Sequence, residues 1–547
     1  MTRLRDLTVR DAQSWDDAAA RFSWPATDRY NIAADCLGHP HDSPAIIVHD
    51  GGAPATTVTF GELDAMSSAV ARELTGRFGV RRGDRVAVKL SQSLEMAVSV
   101  LAVLRAGAVV VPISNVLGAD AIRHRLATSG PRVLIAAGTT LELAAAVEHD
   151  LAMITVEETA AGPSLRMIMR RRDEMIGPFA DTGPDSPALL LFTSGTTGKS
   201  KGVLHGHRFL LGHHGVDYAF DLVRPDDVAY TPADWAWAGG LLLGLLVPLA
   251  HGVPVVAHRD PHFDVDAALA MFEDHGVSIG LFPPTVLRML RRGGASRDSR
   301  PRLRLRCLIT GAEAVEPELL TWALDSLGAV VNNAFGQTEA NALVGHSSVL
   351  GRLDPTCLGR PYPGHEIAVV DERLDPVAPG TLGELAVRAT DPVCLLGYWD
   401  APDATAAKVR GGWLLTGDTV HRDERGQLHF HGRADDLIKS GGYRIGPAEV
   451  EAALLLDDSV VECAVVGLPD PVRGQAVTAF VRLRAGTTGS DALDVTLREL
   501  VRARVGAHAY PREFRYVDEL PHTSTGKIDR AALRRPSAPA VPAGSGA

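Results

Sequence analysis

Apolar runs of strand length alternate with amphipathic helical stretches over most of this chain. That alternation narrows the available folds more than any single motif does. RVAVKL (Arg85 to Leu90) predicts a strand, SLEMAVSVLAVLRAG an amphipathic helix closed by Gly107, and AVVVPI another strand. RVLIAA and ALLLF continue the series, GVPVVA, DAALAMFEDHG and SIGLFP repeat it, and LRCLIT with the helix after it repeats it again. Apolar strands separated by helices predict mostly parallel sheets with helices on both faces. After Tyr362 the pattern changes: GELAVRA, GWLLTGD and QLHFHGR are shorter and predict antiparallel pairing in a small barrel-like subdomain. A compact α+β segment starts at Asp435 with PAEVEAALLLDD, VVECAVVGLP, AVTAFVRL and DALDVTLRELVRARV. The expected fold class is therefore α/β. A large N-terminal domain covers 1–434, a small mobile C-terminal domain 435–535, and a Pro/Gly/Ala/Ser-rich disordered tail 536–547. A chain of 547 residues exceeds one ordinary core, in keeping with that division.

The net charge of −11 argues against nucleic-acid binding, which needs a basic footprint. Five scattered cysteines with no CxxC pair predict free thiols in a reducing cytoplasm. The N-terminus MTRLRDLTVRDAQSWDDAAA has no apolar signal core. The longest apolar run, WAGGLLLGLLVPLA from Trp237, falls short of the roughly 20 residues a membrane span needs and is expected in the core. His205, His207, His213 and His214 cluster in sequence, but no Cys or carboxylate stands among them at ligand spacing. A structural role is expected for them rather than a metal.

LFTSGTTGKSKG (Leu191 to Gly202) follows a predicted strand and reads as a phosphate loop. It is not a Walker loop, because Thr193 stands where the first glycine belongs and KGVLHGH continues with β-type residues instead of opening a helix. Thr193, Ser194, Gly195, Thr196, Thr197, Gly198 and Lys199 could still grip polyphosphate, since glycines allow close approach and N–H and O–H groups donate to phosphate oxygens. By itself the stretch also allows the weaker reading of a Gly/Ser/Thr linker with solvated lysines.

Further segments bear on that choice. TSGTTGKSKG closely resembles the signature loop of the adenylate-forming superfamily, which includes acyl-CoA synthetases, adenylation domains and luciferases. GAEAVEPE (Gly311 to Glu318), NAFGQTEAN (Asn333 to Asn341), WLLTGD ending at Asp418, GRADDLIKSGGYRIGPAEVE (Gly432 to Glu451) and PHTSTGKIDR (Pro521 to Arg530) resemble the family's later motifs in the same order. NIAADCL further resembles the acetyl-CoA and medium-chain synthetase branch.

The resemblance implies ATP-dependent activation of a carboxylic acid and transfer of the acyl group to CoA. Under it, Lys527 is the catalytic cation, and Glu339 with Thr196 holds Mg²⁺. The 193–199 loop grips phosphate. Ala312, Glu313, Ala314, Asn333, Ala334, Phe335, Gly336, Gln337 and Thr338 line the nucleotide, with Phe335 replacing the family's usual tyrosine. Asp418 accepts the ribose hydroxyls, supported by Arg433, while Arg444 serves the phosphate. Asp435 is the hinge. Gly441, Gly442 and Tyr443 line the CoA tunnel, with Arg473 assigned to CoA. The acyl pocket takes Trp235, Trp237, Ala238, Gly239, Gly311 and Gly336. Acetate-specific members carry a tryptophan where this chain has Gly336, so the small residues imply an acid larger than acetate: medium-chain, branched or aromatic. The alternative is a stand-alone adenylating enzyme that passes the acyl group to a carrier protein, an amine or another nucleophile. Monomer and homodimer both remain open.

Overall fold

The computed structural model describes residues 2–51, 55–137, 151–159, 162–171, 176–193, 200–258, 262–311, 315–351, 354–433, 436, 438–440, 443–471, 473–506, 509–522 and 528–535. Its central sheet has seven strands. Arg85–Lys89 lies in the middle of the sheet's five parallel strands and pairs with Val109–Pro112 and Val133–Ala136; Ala152–Thr155 and Pro187–Phe192 extend the parallel array on either side. Gly202–Gly206 and Gly397–Tyr398 close one edge in antiparallel fashion. The alternation is built as the sequence predicts. Helix Leu94–Arg105 starts where Ser93 Oγ accepts from Met96 N. After it, Gly107 turns the chain with φ +70°, at a position where a Cβ would lie 2.9 Å from Ala180 Cβ.

A second sheet carries the strands that reach the site. Ile279–Leu281, Cys307–Thr310 and Val330–Gln337 run parallel, and Ala340–Gly345 and Arg360–Pro361 return antiparallel. The third sheet, Ile367–Val370, Gly383–Arg388, Trp413–Arg422 and Val409–Arg410 with Leu428–Arg433 on Trp413–Arg422, is antiparallel throughout. This is the change of character read after Tyr362.

The C-terminal region has its own sheet, with Val460–Asp470 and Gly474–Leu483 at its centre, and helices Pro447–Leu454 and Asp491–Arg504. Ile438, Val450, Leu454, Val465, Val477, Leu497 and Val501 form a core separate from that of the N-terminal sheets. The apolar run from Trp237 is helical through Ala238–Leu241, Leu242–Leu246 and Val247–His251, with Leu241, Leu242, Leu245 and Leu246 fully buried. Among the described residues no helix is long and apolar enough to cross a membrane. All five cysteines are buried and free.

Candidate active site

The predicted phosphate loop sits on a β-hairpin. Strand Pro187–Phe192 turns back as Gly202–Gly206, with Phe192 opposite Gly202 and Leu191 opposite Val203. Thr193 closes the neck of the loop: its N–H donates to Lys201 O at 3.0 Å, and its Oγ accepts from Lys201 N at 3.3 Å. A strand rather than a helix follows the loop, in keeping with the departure from the Walker pattern. Ser194, Gly195, Thr196, Thr197, Gly198 and Lys199 lie outside the described residues. Lys201 Nζ stands 5.3 Å from the ring centroid of Tyr398.

A second hairpin presents the Gln337–Glu339 segment. Val330–Gln337 and Ala340–Gly345 pair across a two-residue turn, Thr338 and Glu339, with an irregularity between Phe335 and Gln337. Three neighbours fix the turn. His205 Nε2 donates to Thr338 O at 2.8 Å, Leu395 N to Glu339 O at 2.9 Å, and Tyr398 Oη to Glu339 Oε1 at 2.6 Å. His213 Nε2 meets Asn341 Oδ1 at 3.0 Å one strand on. His205 and His213 therefore brace this hairpin, while His207 accepts from Ile32 N and His214 donates to Pro363 O. Burial depresses the basicity of His205 and His207 to a pKa of about 3 and that of His213 to about 4, so all three are neutral. Among the described residues no group of three or more His, Cys, Asp or Glu could hold a metal.

Across from this turn, Asp418 on Trp413–Arg422 pairs in register with Arg433 on Leu428–Arg433. Arg433 Nη1 donates to Asp418 Oδ1 at 3.0 Å, and Gln337 Nε2 to Asp418 Oδ2 at 3.3 Å. Each carboxylate oxygen thus has a fixed donor. Gly417, at φ +77°, turns its N–H to Glu384 Oε1 at 2.7 Å and lets the chain bend just before Asp418.

Sequence reasoning missed two residues here, Tyr398 and Lys408. Both belong to one arm, Gly397–Tyr398 followed by helix Pro402–Lys408. Lys408 Nζ donates to Gln337 Oε1 at 3.0 Å and to Thr416 O at 3.1 Å. Burial lowers the Lys408 pKa below the ordinary lysine value, and Glu339 partly opposes that shift. The only signal in the sequence was an aromatic ahead of a short helix and a lysine at its end, both before WLLTGD.

Asn333 Oδ1 lies 3.7 Å from where a Cβ on Gly311 would sit. Phe335 faces Phe430 with ring centroids 6.3 Å apart. Ala334 pairs with Gly345 across the hairpin. Ala312, Glu313 and Ala314 lie outside the described residues.

The predicted acyl residues divide. Trp235 is 1% exposed and belongs to the main core, while Trp237 is half-buried against the face of the central sheet that carries Leu190 and Phe192. Gly311 and Gly336 have a backbone reason to be glycine. A Cβ on Gly311 would lie 2.3 Å from Ala334 O, and one on Gly336 would lie 2.5 Å from Ala342 N. Their lack of a side chain is therefore no measure of space for substrate. A Cβ on Gly239 would meet only Leu281 Cδ2, at 3.2 Å, and Ala238 is half-buried at the start of its helix. A cavity of about 660 Å³ is lined by Leu204, Tyr398, Trp399, Pro402 and Val409, none of which belongs to the predicted acyl set.

In the C-terminal region, Asp435, Gly441, Gly442 and Lys527 lie outside the described residues. Tyr443 and Arg444 form the strand Tyr443–Ile445, but their side chains lie outside the description. The segment carrying Lys527 is pinched at its base by a bridge between His522 and Ile528 and by Asp529 N donating to Pro521 O at 2.7 Å. Arg473 is exposed in a turn, its N–H on Asp470 Oδ1 at 2.7 Å. The two regions touch where His431 Nδ1 meets Glu449 Oε1.

Residues 32–399 match the family model described as "AMP-binding enzyme", and residues 449–527 match "AMP-binding enzyme C-terminal domain". The chain is 32% identical to the mitochondrial acyl-coenzyme A synthetase ACSM2 of Rattus norvegicus, over 92% of this chain and 91% of that one. It is similar to the crystal structure of the anthranilate CoA ligase AuaEII in complex with anthranoyl-AMP, with a TM-score of 0.80 and 26% identity over 93% of this chain and 97% of that one. It is also similar to the amide bond synthetase McbA from Marinactinospora thermotolerans, with a TM-score of 0.78 and 26% identity over 92% of this chain and 98% of that one.

Proposed function

The chain belongs to the AMP-binding enzyme family, in its acyl-coenzyme A synthetase branch, and we propose that it activates a carboxylic acid larger than acetate as an acyl-adenylate and passes the acyl group to CoA. One observation carries the reading. Asp418 is fixed by Arg433 and by Gln337, and Gln337 lies two residues before a second ordered carboxylate, Glu339, on the same hairpin. An acceptor pair for a diol and a hard oxygen donor at that spacing suit a nucleotide with its counter-ion.

The chemistry follows from charge. A carboxylic acid with a pKa of about 4 is already ionised at neutral pH, so adenylation needs no general base. The obstacle is the approach of one anion to the α-phosphate of a polyanion, which cations and N–H donors must offset. Lys527 takes that role, with Arg444 on the phosphate and the 193–199 loop on the departing pyrophosphate. Asp418 accepts from both ribose hydroxyls, one at each oxygen, while Arg433 and Gln337 hold its plane. Asn333 and the 312–314 backbone face the adenine, beside the Phe335 ring. Glu339 fits Mg²⁺, since its carboxylate is a hard donor held at one oxygen by Tyr398; Thr196 would complete the protein's share. Bound Mg²⁺ would supply positive charge to the polyphosphate. Asp435 serves as the hinge of a mobile C-terminal domain, and Gly441 and Gly442 leave a path for the CoA thiol.

The size of the acid rests on Ala238 and Gly239, and on a similar structure that holds anthranoyl-AMP. Medium-chain, branched and aromatic acids all suit that reading. The test is acid-dependent pyrophosphate release over acetate, hexanoate, octanoate, 2-methylbutyrate and benzoate. A clear preference for acetate would overturn the size argument, and no release with any acid would overturn the ligase reading.

The likeness to an amide bond synthetase favours a second reading, in which the acyl-adenylate meets an amine or a carrier protein. CoA, hydroxylamine and carrier protein compared as acceptors separate the two. Free buried thiols suit any reducing compartment, cytoplasm included.

A further inference from the structure

We propose that Lys408 is a positioning residue for the nucleotide ribose, acting through the Gln337 side chain on Asp418. The inference rests on the nucleotide-binding reading above.

The amide of Gln337 has two ends of nearly equal shape, and only its partners fix which faces which way. Its NH₂ end faces two acceptors, Asp418 Oδ2 at 3.3 Å and Thr416 O at 3.0 Å. Its oxygen faces one donor, the Lys408 ammonium at 3.0 Å. A flipped amide would set an oxygen against a carboxylate and a carbonyl, and an NH₂ against an ammonium. Lys408 therefore locks the orientation that keeps a donor on Asp418 Oδ2. Arg433 holds the other oxygen, Oδ1, at 3.0 Å, so the carboxylate plane is fixed from both sides.

Thr416 O ties the arrangement together. It accepts from Gln337 at 3.0 Å, Lys408 at 3.1 Å and Arg433 at 3.2 Å. A carbonyl has two lone pairs, so three donors around one oxygen concentrate positive charge beside Asp418. Methionine would fill the same volume at lower desolvation cost, because an ammonium in a buried place is expensive unless it is hydrogen-bonded. The local fold delivers the lysine deliberately. Tyr398 N donates to Thr405 Oγ1 at 2.9 Å, tying helix Pro402–Lys408 to the strand before it. One arm thus braces Gln337 through Lys408 and Glu339 through Tyr398.

The experiment measures equilibrium binding of ATP and of 2′,3′-dideoxy-ATP to the full chain, alongside acid-dependent pyrophosphate release with ATP. Wild type should favour ATP over the dideoxy analogue. Lys408→Met should weaken ATP binding by about tenfold, the scale of one charge-assisted hydrogen bond, and leave dideoxy-ATP within about twofold. KM for ATP should rise while kcat changes little. Lys408→Arg should recover most of the preference, and Gln337→Leu should reproduce the loss from the other side of the contact. Equal weakening of both nucleotides, or an unchanged preference in Lys408→Met and Gln337→Leu, would overturn the proposal. If Lys408→Met fails to fold, Gln337→Leu and Lys408→Arg decide the matter alone. Failure of wild type to bind ATP at all would instead refute the nucleotide reading.

Discussion

Tyr398 donates its hydroxyl to Glu339 Oε1 at 2.6 Å, joining an edge strand of the central sheet to the turn of a hairpin from another sheet. Burial and the neighbouring carboxylate both raise the tyrosine's pKa, so the proton stays on the phenol and the bond keeps its direction at any working pH. Tyr398→Phe should leave Glu339 free to rotate. The Mg²⁺ concentration for half-maximal pyrophosphate release is expected to rise about tenfold, with little change at saturating Mg²⁺. A Mg²⁺ titration of both proteins checks it, and superimposable curves would remove Tyr398 from the metal's surroundings. Glu339→Gln should lose activity at every Mg²⁺ concentration.

Gly336 makes a different prediction from the one its place beside Gln337 invites. A Cβ there would press on Ala342 N at 2.5 Å and Ala340 O at 2.9 Å, both backbone atoms of the facing strand. Gly336→Ala should therefore distort the hairpin that carries Gln337 and Glu339, at a cost on the order of 1–3 kcal/mol. Thermal unfolding should fall by several degrees, and activity should fall by the same factor for acetate and octanoate. A selective loss of octanoate would show that the added methyl enters acyl space. Gly239→Leu, where only the flexible end of Leu281 stands near, is the better probe of acid size.

How much of this was legible in the sequence follows from how local each feature is. The alternation that predicts Arg85–Lys89, Leu94–Arg105 and Val109–Pro112 is a property of adjacent residues, and it is built. The strand after the Gly/Ser/Thr loop was legible because β-type residues begin at once. The partnership of Asp418 with Gln337 was not, because register between sheets sets it and 81 residues separate the pair. Tyr398 and Glu339 stand 59 residues apart, and Lys408 and Gln337 stand 71 apart. Nothing beside them in the chain announces either contact. Gly336 was legible as a small residue, but the reason for its smallness lies in the return strand. A structural role was expected for His205 and His213, but the hairpin they brace emerges only when Gly202–Gly206 meets Thr338 in space.

Those histidines share the acid response with His39, His214 and His346, each also lowered chiefly by burial. His205, His207 and His213 have folded pKa values of about 3, 3 and 4, against an ordinary 6.5, with burial the largest cause of each. Below pH 6.5 the unfolded chain binds protons that the folded chain refuses. Stability therefore falls as pH falls, by up to about 1.4 kcal/mol per histidine per pH unit, until the folded values are reached. Asp35 opposes this. Burial raises its pKa from 3.8 to about 6, so it favours the folded state most at low pH and loses that contribution as pH rises through this range. With His39 and His346 also lowered to about 4, the histidines outweigh Asp35 and leave a net loss between pH 6.5 and pH 4. The urea midpoint should drop markedly from pH 7.5 to pH 5, and a flat profile would contradict the neutral, buried state of these histidines. Asp35→Asn, which keeps an acceptor for Tyr30 and Leu4 without the charge, should be more stable than wild type at pH 8 and about equal to it at pH 4.5.

The two half-reactions should come apart by mutation. The C-terminal region has its own core and meets the N-terminal region where helix Pro447–Leu454 packs on strand Leu428–Arg433, His431 meeting Glu449, so the proposed reorientation would leave both cores packed. A hinge of that kind needs only a few residues that absorb backbone rotation. Lys527 falls between His522 and Ile528, which bridge to each other, and under the proposed mechanism its cation acts while the carboxylate attacks the α-phosphate. Lys527→Ala should slow adenylation by about 10²–10³, the usual loss on removing one electrostatic stabiliser, and leave thioester formation from pre-made acyl-adenylate within a few-fold of wild type. Asp435→Pro fixes φ at the proposed hinge and should do the reverse, sparing adenylation and slowing transfer to CoA. Single-turnover measurement of each half-reaction in each variant decides it. Equal loss of both steps in both variants would mean that the lysine and the thiol path serve one fixed arrangement of the two regions.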